Sequence, residues 1–153
     1  MSAPASLVRL EGEWAGEGTL LLPWLSPPES NYSSTASIRT VARGFLRVEY
    51  TWSHDGEAHE GLLLLTDEKQ DGMVTAVWID SWHQSQSFLI SRGNVDPAGA
   101  VSVLGSYPAP TGPDWGWRMV VSPAADGFEL VMFNISPEGE EALAVRNRYE
   151  RRP

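Results

Sequence analysis

Residues 46–65 read LRVEYTWSHDGEAHEGLLLL, and this stretch carries the strongest local signal in the chain. Asp55 and Gly56 stand between two runs that are rich in β-branched, aromatic and aliphatic residues. An Asp-Gly pair in such a position is typical of the two-residue turn of a β-hairpin. With these two residues as the loop, the residues before the turn pair one to one with those after it. The stretch therefore predicts two antiparallel strands, at 44–54 and 57–66.

This pairing separates the two faces of the hairpin, because residues that pair across two strands share a face. One face collects aliphatic and aromatic residues and one histidine: Leu46, Val48, Tyr50, Trp52, His59, Leu63 and Leu65. The other face collects charged and hydroxyl residues: Arg47, Glu49, Thr51 and Glu60. An antiparallel sheet of this kind buries its apolar face, so the first set is expected to point inward.

The same two-residue alternation recurs along the chain, with Gly, Pro, Asp and Asn between the runs and no amphipathic helix. Strands are predicted at 13–22, 33–42, 44–54, 57–66, 72–82, 86–92, 99–106, 115–122, 127–135 and 140–151. Short strands joined in order by tight turns favour an up-and-down barrel, because closure removes exposed edges. We therefore expect an all-β protein whose residues 1–153 form one antiparallel barrel of about ten strands, with a long first loop at 23–32.

Length, charge and cysteine content restrict the possible functions. With 153 residues the chain fits one domain, and a net charge of −9 argues against nucleic acid or an anionic membrane as a partner. The absence of cysteine excludes disulfides, thiolate catalysis and Cys-ligated zinc. The first residues lack the pattern of a signal peptide, and no apolar run approaches the ~20 residues of a membrane-spanning helix. We therefore expect a cytoplasmic protein.

The connection that follows the hairpin decides which side chains meet at one end of the barrel. A four-residue loop at Glu68–Asp71 pairs Leu65 with Val74 and sets His59 opposite Asp80. In this register the inward residues of the next strand are Val74, Ala76, Trp78, Asp80 and Trp82. The mouth of the barrel then gathers Trp52, His59, Asp80 and Trp82.

The predicted meeting of His59 and Asp80 allows two interpretations. The two groups could form a histidine–carboxylate acid–base pair, or they could make a structural hydrogen bond at a barrel rim. The spacing of His54, His59 and His83 is not that of a metal site, so no metal is expected. The chain has no G-x-S-x-G motif for a nucleophilic serine either.

Two arginines within predicted strands are candidates for contact with a ligand. Arg92 shares its strand parity with Phe88 and Ile90, and Arg118 shares its parity with Val120. Both are therefore predicted to point inward, where an arginine can meet the carboxylate of a ligand. The alternative is that each faces water.

The outward positions of the predicted strands at 57–66 and 72–82 are less polar than expected. Leu62, Leu64, Val77 and Ile79 would form an exposed patch, here called the outer apolar patch. Such patches tend to mark a partner surface, which predicts a homodimer through this face. Alternatively, another segment of the same chain covers it.

The ends and the middle of the chain resemble a known superfamily. Leu10–Leu20 reads LEGEWAGEGTL, Trp78–Ser81 reads WIDS, Gly44–Leu46 reads GFL, and the chain closes with YER at Tyr149–Arg151. In this order the motifs resemble the calycin superfamily of lipocalin-like barrels. They are most similar to an uncharacterised, mainly prokaryotic family within it, which is distantly similar to the nitrobindin-type barrels.

The resemblance implies roles for two residues and the absence of one cofactor. In calycins a Trp of the first strand packs at the closed end under a basic residue of the last strand. This implies a structural role for Trp14, with Arg151 or Arg148 as the cation. Nitrobindins bind haem through a histidine on a late strand. Since 127–135 and 140–151 contain no histidine, no haem or other cofactor is expected.

These observations favour a binding protein that holds a small hydrophobic or amphipathic molecule inside a lipocalin-like barrel. The predicted ligand-binding residues are Tyr50, Trp52, His59, Trp78, Asp80, Trp82, Arg92 and Arg118. An alternative is a small-molecule isomerase or hydrolase that uses His59 and Asp80. A second alternative is a structural or assembly module that acts through the outer apolar patch.

Overall fold

The computed structural model describes residues 3–24, 26–68 and 72–153. Ten strands form one closed barrel in which β1 pairs with both β2 and β10, and every neighbouring pair is antiparallel. The elements are α1 (Ala5–Val8), β1 (Gly12–Leu21), β2 (Glu29–Val41), β3 (Phe45–His54), β4 (Glu57–Glu68), β5 (Met73–Asp80), β6 (Gln84–Val95), β7 (Val101–Tyr107), β8 (Trp115–Pro123), β9 (Gly127–Ile135) and β10 (Glu141–Arg151). The predicted all-β, up-and-down barrel is confirmed.

The first loop is shorter than predicted, because β2 begins at Glu29. Ser30 and Asn31 continue the ladder with β1, opposite Leu20 and Thr19. Leu25, which also falls in the predicted loop, lies outside the described residues. The short helix α1 was not predicted, since one turn of helix shows no periodicity in a sequence.

The hairpin of β3 and β4 has the predicted register, with Leu46 opposite Leu65 and Trp52 opposite His59. The inward residues are buried: Leu46, Val48, Tyr50, Trp52, Leu63 and Leu65. His59 belongs to the same face, and its side chain is 10% exposed. The alternation of apolar and polar residues thus decided which side of this hairpin faces the core.

The register of β4 against β5 differs from the prediction by two residues. Leu65 pairs with Ala76 instead of Val74, because β4 continues to Glu68 and pairs there with Met73. Residues 69–71 of the predicted loop lie outside the described residues. An even shift leaves each side chain on its face, so the strand still buries Val74, Ala76, Trp78 and Asp80. It changes the partners, and Asp80 lies opposite Gly61 and not opposite His59.

One end of the barrel is closed around Trp14. Its Nε1 donates a hydrogen bond to the Leu10 carbonyl at 2.8 Å, and the guanidinium carbon of Arg151 lies 4.4 Å from the centroid of its ring. Leu7 of α1 is fully buried at this end. Arg148 is instead bound to Glu129, at 2.7 Å. The Trp14 end is therefore filled by protein, and any larger cavity in the barrel interior lies toward the opposite end.

The outer apolar patch lies on the outside of the barrel, with Leu62 opposite Ile79 and Leu64 opposite Val77. Leu62, Leu64 and Val77 are half-buried, and Ile79 is exposed. Further exposed apolar residues continue across β6 and β7: Phe88, Ile90 and Leu104. The homodimer predicted from this patch stays a prediction.

Candidate functional site

A cavity of about 480 Å³ opens at the end of the barrel opposite Trp14, and it is here called the mouth cavity. Its lining comes from the start of the first loop, from β5, β6 and the turn between them, and from the mouth-side ends of β7, β8, β9 and β10. Five of the seven tryptophans and one tyrosine line it: Trp24, Trp78, Trp82, Trp115, Trp117 and Tyr107. The walls are therefore mainly aromatic.

Two buried tryptophans from strands that are not neighbours in the sheet meet in the wall of this cavity. The rings of Trp78 on β5 and Trp117 on β8 stack with centroids 5.4 Å apart and planes 9° apart. Both residues are buried, whereas Trp24 and Trp82 are 72% and 39% exposed and stand at the rim. The cavity thus has buried aromatic side chains at its base and exposed aromatic rings at its entrance.

The imidazole of His83 lies among four tryptophan rings, of which three line the cavity and one, Trp52, lies beneath it. Its ring centroid is 5.4 Å from that of Trp52, 5.7 Å from Trp78, 4.7 Å from Trp82 and 5.3 Å from Trp117. Burial lowers the pKa of His83 from its ordinary 6.5 to about 4; Asp80 acts in the opposite direction, and His59 adds to the lowering. His83 is therefore neutral near pH 7.

The carboxylate of Asp80, which is 2% exposed, holds this aromatic cluster in place. Its Oδ2 accepts hydrogen bonds from the Tyr50 hydroxyl at 2.6 Å and from Trp52 Nε1 at 3.2 Å. Its Oδ1 accepts the backbone N–H groups of Trp82 and His83 at 2.9 and 3.0 Å. One side chain therefore fixes both the inner aromatic residues and the turn that carries His83.

Tyr50 extends this network to the wall of the mouth cavity. Its hydroxyl accepts a hydrogen bond from Trp78 Nε1 at 2.9 Å and donates a hydrogen bond to the Asp80 carboxylate. Burial and the adjacent carboxylate raise the pKa of Tyr50 well above its ordinary value of 10. Tyr50 therefore stays protonated and acts as a donor to the carboxylate, and the orientation of Trp78 depends on Asp80 through it.

The predicted pair of His59 and Asp80 is corrected by this geometry. His59 Nδ1 lies 3.0 Å from Ser81 Oγ, and its ring packs on Trp52 at 4.7 Å between centroids. The two-residue shift of β5 sets His59 beside Ser81, while four protein donors already occupy the Asp80 carboxylate. An acid–base pair needs a carboxylate directed at the imidazole. Since the Asp80 carboxylate binds other groups and His59 binds Ser81, the two residues do not form such a pair.

The predicted inward positions of Arg92 and Arg118 are wrong. Arg92 is exposed because Leu89 and Ser91 are the buried residues of β6, which gives Arg92 the outward parity. Arg118 lies between the buried Trp117 and Met119 of β8 and binds Glu141 on the outer surface at 2.8 Å. Phe88 and Ile90, whose apolar character suggested an inward face, point outward as well.

Of the predicted ligand-binding residues, only Trp78 and Trp82 line the mouth cavity. Tyr50, Trp52 and Asp80 lie beneath it and support it. Several lining residues were not predicted from the sequence: His83, Leu89, Tyr107, Trp115, Trp117 and Asn134. Trp115, Trp117, Met119 and Val121 occupy every second position of β8, and this pattern could have indicated an inward-facing row of side chains. For His83 the available signal was Asp80 before it, since Asp side chains commonly bind backbone N–H groups two or three residues on.

The low pKa of His83 predicts how stability depends on pH. In the unfolded chain the imidazole binds a proton near its ordinary pKa of 6.5, whereas the folded protein resists this down to about 4. The free energy of unfolding should therefore fall as the pH drops through this window, by on the order of 3 kcal/mol from this group.

Urea unfolding near pH 7 and near pH 4.5 checks this expectation. His83→Phe keeps an aromatic ring and removes the titration, so the loss of stability of this variant at the lower pH should be clearly smaller. Equal losses in the wild type and in His83→Phe would contradict the assignment.

Among the described residues, no group of three or more His, Cys, Asp or Glu side chains is arranged to hold a metal ion. In the same part of the chain, no helix has the length and hydropathy needed to cross a membrane. The expectations of no cofactor and of a cytoplasmic location stay predictions.

Comparisons with known proteins agree with the fold and leave the activity open. A family model described as "Protein of unknown function (DUF1579)" matches residues 2–151. The crystal structure of Rv2717c from M. tuberculosis is similar, with a TM-score of 0.66 and 17% sequence identity over 97% of this chain and 98% of that one. No curated protein matches this chain in sequence. At this identity the structural likeness supports the barrel alone.

Proposed function

Because the chain belongs to the DUF1579 family, described only as proteins of unknown function, we propose its function from the mouth cavity: it binds one small hydrophobic or amphipathic molecule there. The observation that carries the proposal is the aromatic lining of a cavity of about 480 Å³. Ligand sites in proteins typically have volumes of about 300–1,000 Å³ and combine apolar walls with a few polar groups.

The support network beneath the cavity favours a preformed site. Trp78 Nε1 is held by Tyr50, and Tyr50 is held by Asp80, so this wall has a fixed orientation before any ligand arrives. A site whose side chains are already ordered loses less entropy when a ligand binds. We further infer that the barrel is lipocalin-like and a member of the calycins, as the motifs around Trp14 and Arg151 suggest.

A steric test separates binding in the mouth cavity from binding elsewhere. Ala142 is exposed and lines the cavity at the start of β10. In Ala142→Trp the indole should occupy part of the space and weaken binding of N-phenyl-1-naphthylamine, an uncharged fluorescent probe, by about tenfold or more. The probe brightens in apolar surroundings, so its titration reports the affinity.

The matched control is Ala98→Trp, which adds the same side chain at an exposed alanine in the turn between β6 and β7, at the closed end. We expect this variant to bind the probe as the wild type does. Equal affinities of Ala142→Trp and the wild type, or no binding to the wild type, would contradict the proposal.

The alternative of an isomerase or hydrolase has little support in this geometry. The carboxylate of Asp80 is buried and accepts four hydrogen bonds from the protein, so it has no free position toward a substrate. His59 belongs to the supporting cluster and does not line the mouth cavity. The assembly module, acting through the outer apolar patch, likewise stays a prediction.

A further inference from the structure

The charges around the mouth cavity restrict the ligand more than its shape does. Among the residues that the structure describes, the lining contains no lysine or arginine, and its one acidic residue, Glu140, is exposed at the rim. Arg92 and Arg118, the arginines that could have met a carboxylate, lie on the outside of the barrel. A buried carboxylate without a cation loses its hydration and gains no ion pair in return.

Neither charged form of a ligand finds an ion-pair partner among the described residues at the base of the cavity. His83 is neutral because burial has lowered its pKa to about 4, so it offers no positive charge to an anion near pH 7. The Asp80 carboxylate is charged but lies beneath the cavity, and four protein donors occupy its oxygens, so a cation in the cavity cannot bind it directly. Among the described lining residues, Glu140 is the acidic side chain that could attract a cation, and water screens it at the rim.

The base of the cavity nevertheless has hydrogen-bonding groups that have no partner in the described part of the chain. A neutral imidazole has one donor and one acceptor, and none of the described side chains hydrogen-bonds to the ring nitrogens of His83. The buried Nε1 of Trp117 also has no acceptor among the described residues. At the rim, Asn134 Oδ1 accepts the Tyr107 hydroxyl, which leaves the amide nitrogen of Asn134 as a donor.

We propose that the mouth cavity selects an uncharged aromatic molecule bearing a hydroxyl group or a ring nitrogen, and that it discriminates against carboxylates such as fatty acids. The proposal rests on the proposed binding function and names its ligand class. The aromatic lining, with Trp78 and Trp117 at the base and Trp24 and Trp82 at the rim, favours contact with an aromatic ring. The neutral imidazole of His83 can donate a hydrogen bond to a hydroxyl group or accept one from it. A purely apolar molecule would leave this donor and this acceptor without a partner.

Four ligands with one naphthalene skeleton test this selection near pH 7: naphthalene, 2-naphthol, 2-naphthoate and 2-naphthylmethylammonium. Each competes with N-phenyl-1-naphthylamine for the wild-type protein. We expect 2-naphthol to bind about fivefold more tightly than naphthalene, the effect of one ordinary hydrogen bond. It should bind at least about tenfold more tightly than 2-naphthoate or 2-naphthylmethylammonium, because either charge is desolvated without a partner.

A variant assigns the preference to the histidine. In His83→Phe the affinity for naphthalene should be retained, whereas the advantage of 2-naphthol over naphthalene should disappear. If the wild-type protein binds 2-naphthoate or the ammonium compound as tightly as 2-naphthol, the proposed ligand class is wrong. The proposed binding function would not be affected by this result. If no compound of the series competes and the fluorescent probe itself does not bind, the proposed function fails as well.

Discussion

Asp80→Ala is expected to lower the free energy of unfolding by about 4 kcal/mol, a large part of the stability of a domain of this size. The carboxylate is 2% exposed and accepts hydrogen bonds from Tyr50, Trp52 and two backbone N–H groups. Alanine would leave these donors buried without an acceptor, and each unsatisfied donor carries a desolvation penalty of about 1–3 kcal/mol. Urea unfolding near pH 7, followed by tryptophan fluorescence, measures the change.

Two further variants separate this network from a general effect of charge. Asp80→Asn keeps one acceptor oxygen and should therefore lose about half as much stability as Asp80→Ala. The loss that remains arises because the amide group of the asparagine faces the Trp52 donor. Asp126→Asn removes the same charge from an exposed turn at the closed end and should change the stability by no more than about 0.5 kcal/mol. If Asp80→Ala unfolded like Asp126→Asn, the carboxylate would not hold the cluster together.

The Asp80→Asn variant also tests how the support network serves the site. The turn that carries Trp82 and His83 is fixed by the carboxylate, so we expect the folded variant to bind N-phenyl-1-naphthylamine more weakly than the wild type does. Asp126→Asn should bind the probe normally. Unchanged binding in Asp80→Asn would show that the cavity does not depend on this network.

Gly16→Ala is expected to lower the free energy of unfolding by more than about 3 kcal/mol, or to prevent folding. Gly16 lies on β1 opposite Tyr149 of β10, at the seam that closes the barrel. A Cβ at this position would stand 1.7 Å from the Arg148 carbonyl oxygen, and this neighbour is backbone and cannot rotate away. The strands would have to separate where closure depends on their contact. Circular dichroism and urea unfolding report the outcome.

A second glycine provides the matched control. Gly56 has a φ of +77° in the hairpin turn, and a Cβ there would meet nothing within 4 Å. Gly56→Ala should therefore lose only about 1 kcal/mol, from its positive φ. Equal stabilities of Gly16→Ala and Gly56→Ala would contradict the close approach of β1 and β10.

The strands and the inner face of the β3–β4 hairpin could be predicted because their determinants are local. The turn at Asp55–Gly56 sets the pairing, and Leu46, Val48 and Tyr50 alternate with polar residues along the strand. The β4–β5 pairing was predicted less well, because the loop was placed at Glu68–Asp71, whereas β4 runs on to Glu68 and pairs there with Met73. Its inward face was still correct, since the difference is an even number of residues.

The orientation of β6 could not be predicted from alternation, because apolar residues occupy both of its faces. Leu89 points into the mouth cavity, whereas Phe88 and Ile90 are exposed. An irregularity in the pairing of β5 with β6, between Trp78 and Asp80, interrupts the ladder next to this segment. Arg92 was therefore assigned to the wrong face.

The sequence by itself determined that this chain forms a closed barrel of consecutive antiparallel strands, because turn residues and two-residue alternation act between neighbours along the chain. Only the tertiary structure decided where the cavity lies and what lines it. Trp78 and Trp117 are far apart in sequence and stack on each other although β5 and β8 are not neighbours in the sheet, and the Asp80 carboxylate holds His83 among four tryptophans. Such contacts depend on how the sheet curls and closes on itself, and alternation within one strand carries no information about which side chains then meet across the interior.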